Sequence, residues 1–500
     1  KQSKKKAAAY FNEIAADFNI AYIQFSFIVL SWLWKKMFQG IDLNPEELAN
    51  VRKWSRKGPV IYVPSHKSHI DYLVLNFVLY VNHLHIPRTA AGKNLAFWPL
   101  GNYFRKTGAF FIRRTFKGAR LYSTVFSRYI KALLRENTPL EFFIEGGRSR
   151  SGKLILPKIG FLSILIDAYR EKYCEDLIFV PVSIVYDRIL EEQAYLKELG
   201  GGKKEAENLQ QFVGVRRFLK KKYGKIYLRF GQPISIKEYH EEKPNLEDKK
   251  HKLLAFHIIR AINKATLVTP MSIMASAILA KHRRGFQTQE IMETAETFLK
   301  FIKNRGVPIA DSLQNLEKAM TETIAILLKS HVLETIKDVD DTQKFYFAKE
   351  DKKPELEFYK NSIIHYFIPQ TFVALSLLTG HQEITPRETV VMDYAFLKKV
   401  FRYEFIFGEE NETPESEVDG VFSDFFETSL MVKSDVKAGY SLTRPGFDQL
   451  TIWANLAKTF LESYWIATRA IIKRQKEGKK RSDMLKSMTY LGQRYHRMGL

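Results

Sequence analysis

Pro59-Val60-Ile61-Tyr62-Val63-Pro64-Ser65-His66-Lys67-Ser68-His69-Ile70-Asp71 reads as a strand, a turn and the start of a helix. Val60 to Val63 form a short apolar, β-rich run of the kind buried on both faces in a parallel sheet. Pro64 ends it, because proline cannot extend a hydrogen-bonded ladder. His66 then falls in the turn and a helix opens near Ser68. Ligand sites in open α/β sheets favour this location, outside the carboxyl end of a strand.

The same alternation continues outward. Further strand candidates are Thr89–Ala91, Phe110–Ile112, Leu140–Ile144, Ile178–Val185 and Ile226–Phe230. Amphipathic stretches separate them. The clearest is Leu121–Leu134, with Leu121, Val125, Phe126, Tyr129, Ile130, Leu133 and Leu134 on one face. Strands interleaved with helices predict an α/β domain over residues 46–268, with a mixed, largely parallel sheet flanked by helices. After Thr269-Pro270 the character changes to long helical periodicities, which predicts an all-helical C-terminal domain over 269–500. Charged breaks at Lys337–Glu355 and Gly408–Asp419 read as surface loops within it.

Residues 1–45 form a third segment. Its most apolar stretch, Ile20–Trp34, is about fifteen residues long, whereas a bilayer span needs about twenty. Gln24, Ser26 and Ser31 interrupt it, Lys35 and Lys36 close it, and Trp32 and Trp34 sit beside them as interfacial aromatics do. The expectation is a helical membrane-surface segment; a helix buried against the protein is the alternative.

The 500 residues carry a formal charge of +23, which calls for an anionic partner: nucleic acid, anionic lipid or a phosphorylated metabolite. One cysteine, Cys174, excludes an internal disulfide framework and fits a reducing compartment. The basic excess is partly local, since residues 100–160 hold thirteen Lys or Arg against three acidic residues.

Several constellations carry chemistry. At a separation of five, Asp71 can bond one imidazole nitrogen of His66, fixing the tautomer and leaving the other nitrogen as a base. Two other readings exist: Ser68-His69-Ile70-Asp71 also fits a helix-capping pattern, and His66, His69 and Asp71 could bind a metal. Downstream, Phe143-Ile144-Glu145-Gly146-Gly147-Arg148-Ser149-Arg150-Ser151-Gly152-Lys153 is a cationic loop after a strand. It nearly matches a phosphate-binding P-loop, but Leu154 stands where Ser or Thr is needed, and extended chain to Pro157 follows instead of a helix. Arg148, Arg150 and Lys153 can still converge on one phosphate, and Glu145 can bond substrate hydroxyls or hold an arginine. Gly108-Ala109-Phe110-Phe111-Ile112-Arg113-Arg114 delivers two more arginines at a strand end. Pro181, inside the strand Phe179–Ile184, marks an edge or a bend.

These four blocks, in this order, resemble the motifs of the glycerolipid acyltransferases. HKSHID is similar to the family's His-x4-Asp block, GAFFIRR to the second, FIEGGRSRSGK to the third and VPVSIVYDR to the fourth. Further stretches, YDRILEEQAYLKELGGGKKEAENL, KIYLRFGQPISI and ELEFYKNSIIHYFIPQTFVALSLL, resemble the branch that acylates glycerol 3-phosphate or dihydroxyacetone phosphate.

The resemblance implies a glycerol-3-phosphate 1-O-acyltransferase. His66 would be the general base and Asp71 its orienting partner. Arg113 or Arg114, Glu145, Gly146, Arg148, Arg150 and Lys153 would position glycerol 3-phosphate, and Pro181 would line the site. The donor would be acyl-CoA or acyl-ACP, with no metal and no further cofactor. The protein would be monotopic on the cytoplasmic face, with an anionic membrane surface as its partner. Dihydroxyacetone phosphate is the alternative acceptor, and a basic nucleic-acid-binding protein the alternative of a different class.

Overall fold

The computed structural model describes residues 2–97, 99–113, 115, 118–199, 222–242, 250–337, 344–380, 384–408, 412–434, 438–474 and 481–498. Arg114, one of the two arginines expected at the end of the second block, lies outside them. Two compact units result: one of residues Lys1–Ala275, Arg284–His365 and Phe401–Glu409, the other of Ser276–Arg283, Tyr366–Val400 and Glu410–Leu500. Contacts thus place much of 269–365 with the sheet, whereas hydrophobic pattern divides the chain at 268.

The first unit opens with α1 (Gln2–Ile14) and α2 (Ile20–Met37), followed by β1 (Ile41–Leu43), α3 (Pro45–Trp54), β2 (Val60–Pro64), α4 (Asp71–Val81), β3 (Arg88–Gly92), α5 (Leu100–Lys106), β4 (Ala109–Ile112), α6 (Arg120–Arg135), β5 (Leu140–Glu141), α7 (Gly160–Arg170), β6 (Ile178–Tyr186), α8 (Glu192–Leu199), β7 (Ile226–Phe230) and β8 (Ile234–Ser235). The strands join in the order β1-β7-β6-β2-β5-β3-β4, with β8 also on β6. Pairs β1–β7, β6–β2, β2–β5, β5–β3 and β3–β4 are parallel. Among the described residues of this sheet, β6–β7 and β6–β8 are the antiparallel pairs. The expected mixed, largely parallel sheet is present.

β2 and β6 are buried at every position, as their unbroken apolar runs require. In α6, Tyr122, Phe126, Ile130 and Leu134 repeat every four residues and enter the main core with β2, β5 and α7. Pro181 sits in β6 opposite Val63, and its carbonyl accepts the Gly231 N–H just where the outer partner of β6 changes from β8 to β7. A proline is tolerated at that seam.

The expected strand Leu140–Ile144 is shorter than its apolar run: pairing stops at Glu141 and the chain turns at Phe143–Gly146. β1 and β8, of three and two residues, are too short to stand out as periodic patterns.

α2 starts at Asn19, whose side chain accepts the Ala21 N–H. Ile23, Trp34 and Met37 are buried, while Phe25, Ile28, Val29 and Trp32 form an exposed apolar stripe at helical spacing. Among the described residues no single helix is long and apolar enough to cross a membrane; the consecutive pair Glu350–Tyr366 and Ile368–Thr379 passes on length and composition together.

The chain continues with α9 (Ile236–Glu242), α10 (Lys250–Lys264), α11 (Pro270–Ala280), β9 (Phe286–Gln287), α12 (Thr288–Asn304), α13 (Leu316–Lys329), β10 (Leu333–Lys337), β11 (Lys344–Ala348), α14 (Lys353–Ile363), α15 (Ile368–Thr379), α16 (Arg387–Val400), α17 (Pro414–Glu427), β12 (Met431–Lys433), β13 (Tyr440–Leu442), α18 (Arg444–Asn455), α19 (Lys458–Arg474) and α20 (Arg481–Arg497). Residues 269–500 are therefore mainly helical, with two small sheets added. Part of the charged break at Lys337–Glu355 pairs as β11 between β10 and β9, because Tyr346 and Ala348 turn inward. In the second unit, α15 packs on α16, α17 and α18, and Gln370 donates to Asp424 across 3.0 Å.

Beneath α4, Glu141 of β5 is fully buried and accepts from Thr89 (2.7 Å) and Asn76 (3.3 Å) through Oε2, while its Oε1 has no partner among the described residues. Burial pushes its pKa up to about 8, so the folded state holds a proton that the unfolded chain releases near pH 4.5. Stability is then complete below pH 4.5 and declines toward pH 8, by at most about 1.4 kcal/mol per pH unit for one such group. Glu145, also pushed up to about 8, contributes with the same sign. Glu141→Gln should make the decline shallower in urea titrations at pH 5, 6.5 and 8; an unchanged slope would show that Glu141 is ionised throughout.

Candidate active site

Strands β2, β5, β4 and β6 run parallel, so their carboxyl ends share one edge of the sheet. The turn after β2 carries His66, the loop after β5 carries Glu145–Lys153, β4 leads to Arg113 and β6 ends at Tyr186. The turn is pinned from below. Ser65 donates its N–H to Val182 (2.8 Å), its hydroxyl accepts the Ile184 N–H (3.0 Å), and the His66 N–H donates to Glu145 (2.7 Å).

His66 Nδ1 lies 3.0 Å from Asp71 Oδ2. That oxygen also accepts the N–H groups of Lys67 (2.7 Å) and Ser68 (2.8 Å), and Oδ1 accepts the Tyr186 hydroxyl (2.6 Å). The bond from the Ser68 N–H is the carboxylate half of the Ser68-x-x-Asp71 capping pattern, although α4 itself opens only at Asp71, so the same side chain braces the helix start and orients the imidazole. With Nδ1–H donated to Asp71, Nε2 is the free acceptor. The ring stacks on Phe143 at 3.8 Å between centroids, and the side chain is 16% exposed. Burial pushes the His66 pKa below its usual value; Asp71 opposes that shift, and the charges of Arg148 and Arg150 add to it. That shift favours the unprotonated imidazole, the state a general base needs.

Glu145 is buried, and its two oxygens go to the backbone N–H groups of His66 and Ile155 (2.9 Å). It therefore joins the two loops instead of pairing with an arginine. Gly146 holds φ at +64°, where an added Cβ would lie 2.5 Å from Lys158 Cδ. Gly152 is tighter still, since a Cβ there would meet the Phe358 carbonyl oxygen at 1.9 Å.

The cations of the loop all have protein partners. Arg148 donates to the Tyr195 hydroxyl (3.1 Å) with Glu191 3.9 Å away. Arg150 pairs with Glu198 (3.2 Å), and Lys153 bonds the carboxylate and carbonyl of Glu404. Arg113 makes a two-pronged pair with Glu13 of α1 at 2.7 Å, which keeps its guanidinium charged. Arg148 and Arg150 act electrostatically on His66, whereas Arg113 and Lys153 are not among the principal charges that do so.

Sequence reasoning missed four supports of this turn. Tyr186 holds Asp71. Glu191 accepts the hydroxyl of Ser68 and the N–H of His69 (2.6 Å). Tyr195 donates to the Lys67 carbonyl (2.7 Å), and Phe143 stacks on the imidazole. Both Tyr186 and Glu191 belong to stretches singled out by resemblance, but nothing in their spacing reveals that they reach back across about 115–123 residues. Among the described residues no group of three His, Cys, Asp or Glu is placed to hold a metal ion.

Residues 195–499 match the family described as the glycerol-3-phosphate acyltransferase C-terminal region, and residues 43–185 match the acyltransferase family. The chain belongs to the glycerol-3-phosphate acyltransferase family. It is 34% identical over 491 residues to a glycerol-3-phosphate acyltransferase of Haemophilus ducreyi, with 94% of this chain and 59% of the relative covered. Similar proteins of the same name occur in Pasteurella multocida (32% over 490 residues, 94% and 59% covered) and Haemophilus influenzae (32% over 493 residues, 95% and 59%). The chain thus spans about three fifths of the length of these curated relatives. A solved lysophosphatidate acyltransferase from Thermotoga maritima aligns with 48% of the chain and 77% of its own, at 18% identity and a TM-score of 0.29.

In this family member the state of His66 is directly measurable. Its imidazole should titrate below pH 6.5 by NMR, and Asp71→Asn should lower the value further by removing the attraction that raises it. A rise in Asp71→Asn would mean that Asp71 is not the group holding Nδ1.

Proposed function

We propose that this chain carries the catalytic apparatus of a glycerol-3-phosphate 1-O-acyltransferase, making lysophosphatidic acid from glycerol 3-phosphate and an acyl thioester. The observation that carries the reading is the 3.0 Å contact of His66 Nδ1 with Asp71, at a turn that the charges of Arg148 and Arg150 reach. His66 Nε2 removes the proton of the primary hydroxyl as the oxygen attacks the thioester carbonyl. The C–O bond forms, the C–S bond breaks, and the thiolate leaves with the proton that the imidazolium returns. Because thiolate is a good leaving group, no acyl-enzyme is required. Arg148 and Arg150 supply positive charge for the acceptor phosphate, with Glu145 and Gly146 shaping the loop that presents it. Pro181, paired with Val63 just before the His66 turn, lines the floor of the site.

An apolar cavity of about 240 Å³ supports the same reading. Ile23, Phe27 and Leu30 of α2 line it together with Leu73 and Phe77 of α4, the helix that begins at Asp71. It is a suitable place for the acyl chain. The exposed stripe of α2 and the net charge of +23 support residence on an anionic membrane surface at its cytoplasmic face.

Two experiments test these assignments. Purified protein should release thiol with glycerol 3-phosphate, crossed with acyl-CoA and acyl-ACP donors, and His66→Ala should reduce turnover on the order of 10²–10⁴-fold with the fold intact. Faster turnover with dihydroxyacetone phosphate would move the acceptor assignment to that substrate, and residual full activity would remove His66 as the base. Phe25→Glu with Ile28→Glu should lower co-sedimentation with anionic phospholipid vesicles; equal binding would mean that the stripe is not the docking face.

A further inference from the structure

The loop that carries Arg148 and Arg150 touches the turn of the base directly, since the Ser149 N–H donates to the His66 carbonyl at 2.8 Å. Arg148, one residue earlier, is buried between two groups that bond the same turn. One is Glu191, 3.9 Å away, which accepts the Ser68 hydroxyl and the His69 N–H. The other is Tyr195 of α8. Its hydroxyl accepts from Arg148 Nη1 at 3.1 Å and donates to the Lys67 carbonyl at 2.7 Å.

Tyr195 reaches the second cation as well. The guanidinium carbons of Arg148 and Arg150 lie 5.7 and 5.6 Å from its ring centroid, and Phe358 backs the ring at 6.1 Å. Arg150 in turn donates to the Arg148 carbonyl. The phenol is 3% exposed, and burial pushes its pKa well up, so it stays neutral and can both donate and accept. Any buried phenol needs a partner for its hydroxyl. What singles out Tyr195 is that its partners are the cation and the backbone beside the base.

We propose that Tyr195 is a positioning residue that fixes the distance between the phosphate-binding arginines and His66, and thereby selects the acceptor hydroxyl that reaches the base. The inference rests on the acyl-acceptor reading above. In glycerol 3-phosphate the primary and secondary hydroxyls differ by one carbon in their separation from the phosphate. With the phosphate held by Arg148 and Arg150, a shift of those cations by about 1 Å changes which hydroxyl lies within reach of Nε2. The chain from Arg148 through Tyr195 to Lys67 is short and buried, and it holds that distance.

Tyr195→Phe keeps the ring and removes the hydroxyl. In the whole chain it should lower kcat with glycerol 3-phosphate about tenfold or more while KM changes less, and raise the share of 2-acyl product read before acyl migration. Tyr195→Leu, which loses the ring too, should also raise KM. A lower Tm in Tyr195→Phe with kcat, KM and product ratio at parent values would make the residue purely structural and overturn the proposal. A second measurement needs no turnover. Inorganic phosphate bound at the arginines should offset their charge and move the His66 titration upward in NMR spectra of the parent, and less in Tyr195→Phe. Equal movement in both proteins, or none in either, would likewise overturn it. Absence of turnover in the parent would instead defeat the acyltransferase reading, and the phosphate titration would still decide on Tyr195.

Discussion

The Asp71 carboxylate is the point on which the rest of the site depends. Its two oxygens gather the N–H groups of Lys67 and Ser68, the phenol of Tyr186 and the imidazole of His66. One side chain thereby ties the turn after β2 to the first turn of α4 and to the end of β6. A buried carboxylate is tolerated only with such compensation. The same bonds that make its burial tolerable also orient the His66 imidazole.

Charge in this region is arranged in pairs that span long stretches of chain. Arg113 depends on α1, Arg150 on α8 and Lys153 on the segment around Glu404. The loops at this edge of the sheet are therefore tied to widely separated parts of the first unit. Glu145 adds a further brace, since its carboxylate links the loop after β5 to the turn after β2.

What the sequence made legible was whatever has a local pattern. β2 and β6 announce themselves because they are apolar throughout, and α6 because its buried face repeats every four residues. His66 and Asp71 were readable because both lie within one turn. The short strands β1 and β8 have too few residues for a period, and β5 is shorter than its apolar run because the chain must turn to form the loop. The roles of Tyr186, Glu191 and Tyr195 were not readable, since each acts through a contact that only the folded sheet creates. Nor was the pairing of the basic residues, which a count of charge along the chain leaves open.

Helix α2 has a further consequence. Val29 lines the apolar cavity and is also 36% exposed, beside the outward stripe of Phe25, Ile28 and Trp32. One side chain thus borders both the cavity and the exposed stripe. On the proposed membrane surface this would act as a lateral window: a long-chain product could pass sideways into lipid without its tail crossing water. Its escape would then follow a partition equilibrium, and the physical state of the bilayer would enter the turnover rate as directly as any residue of the site.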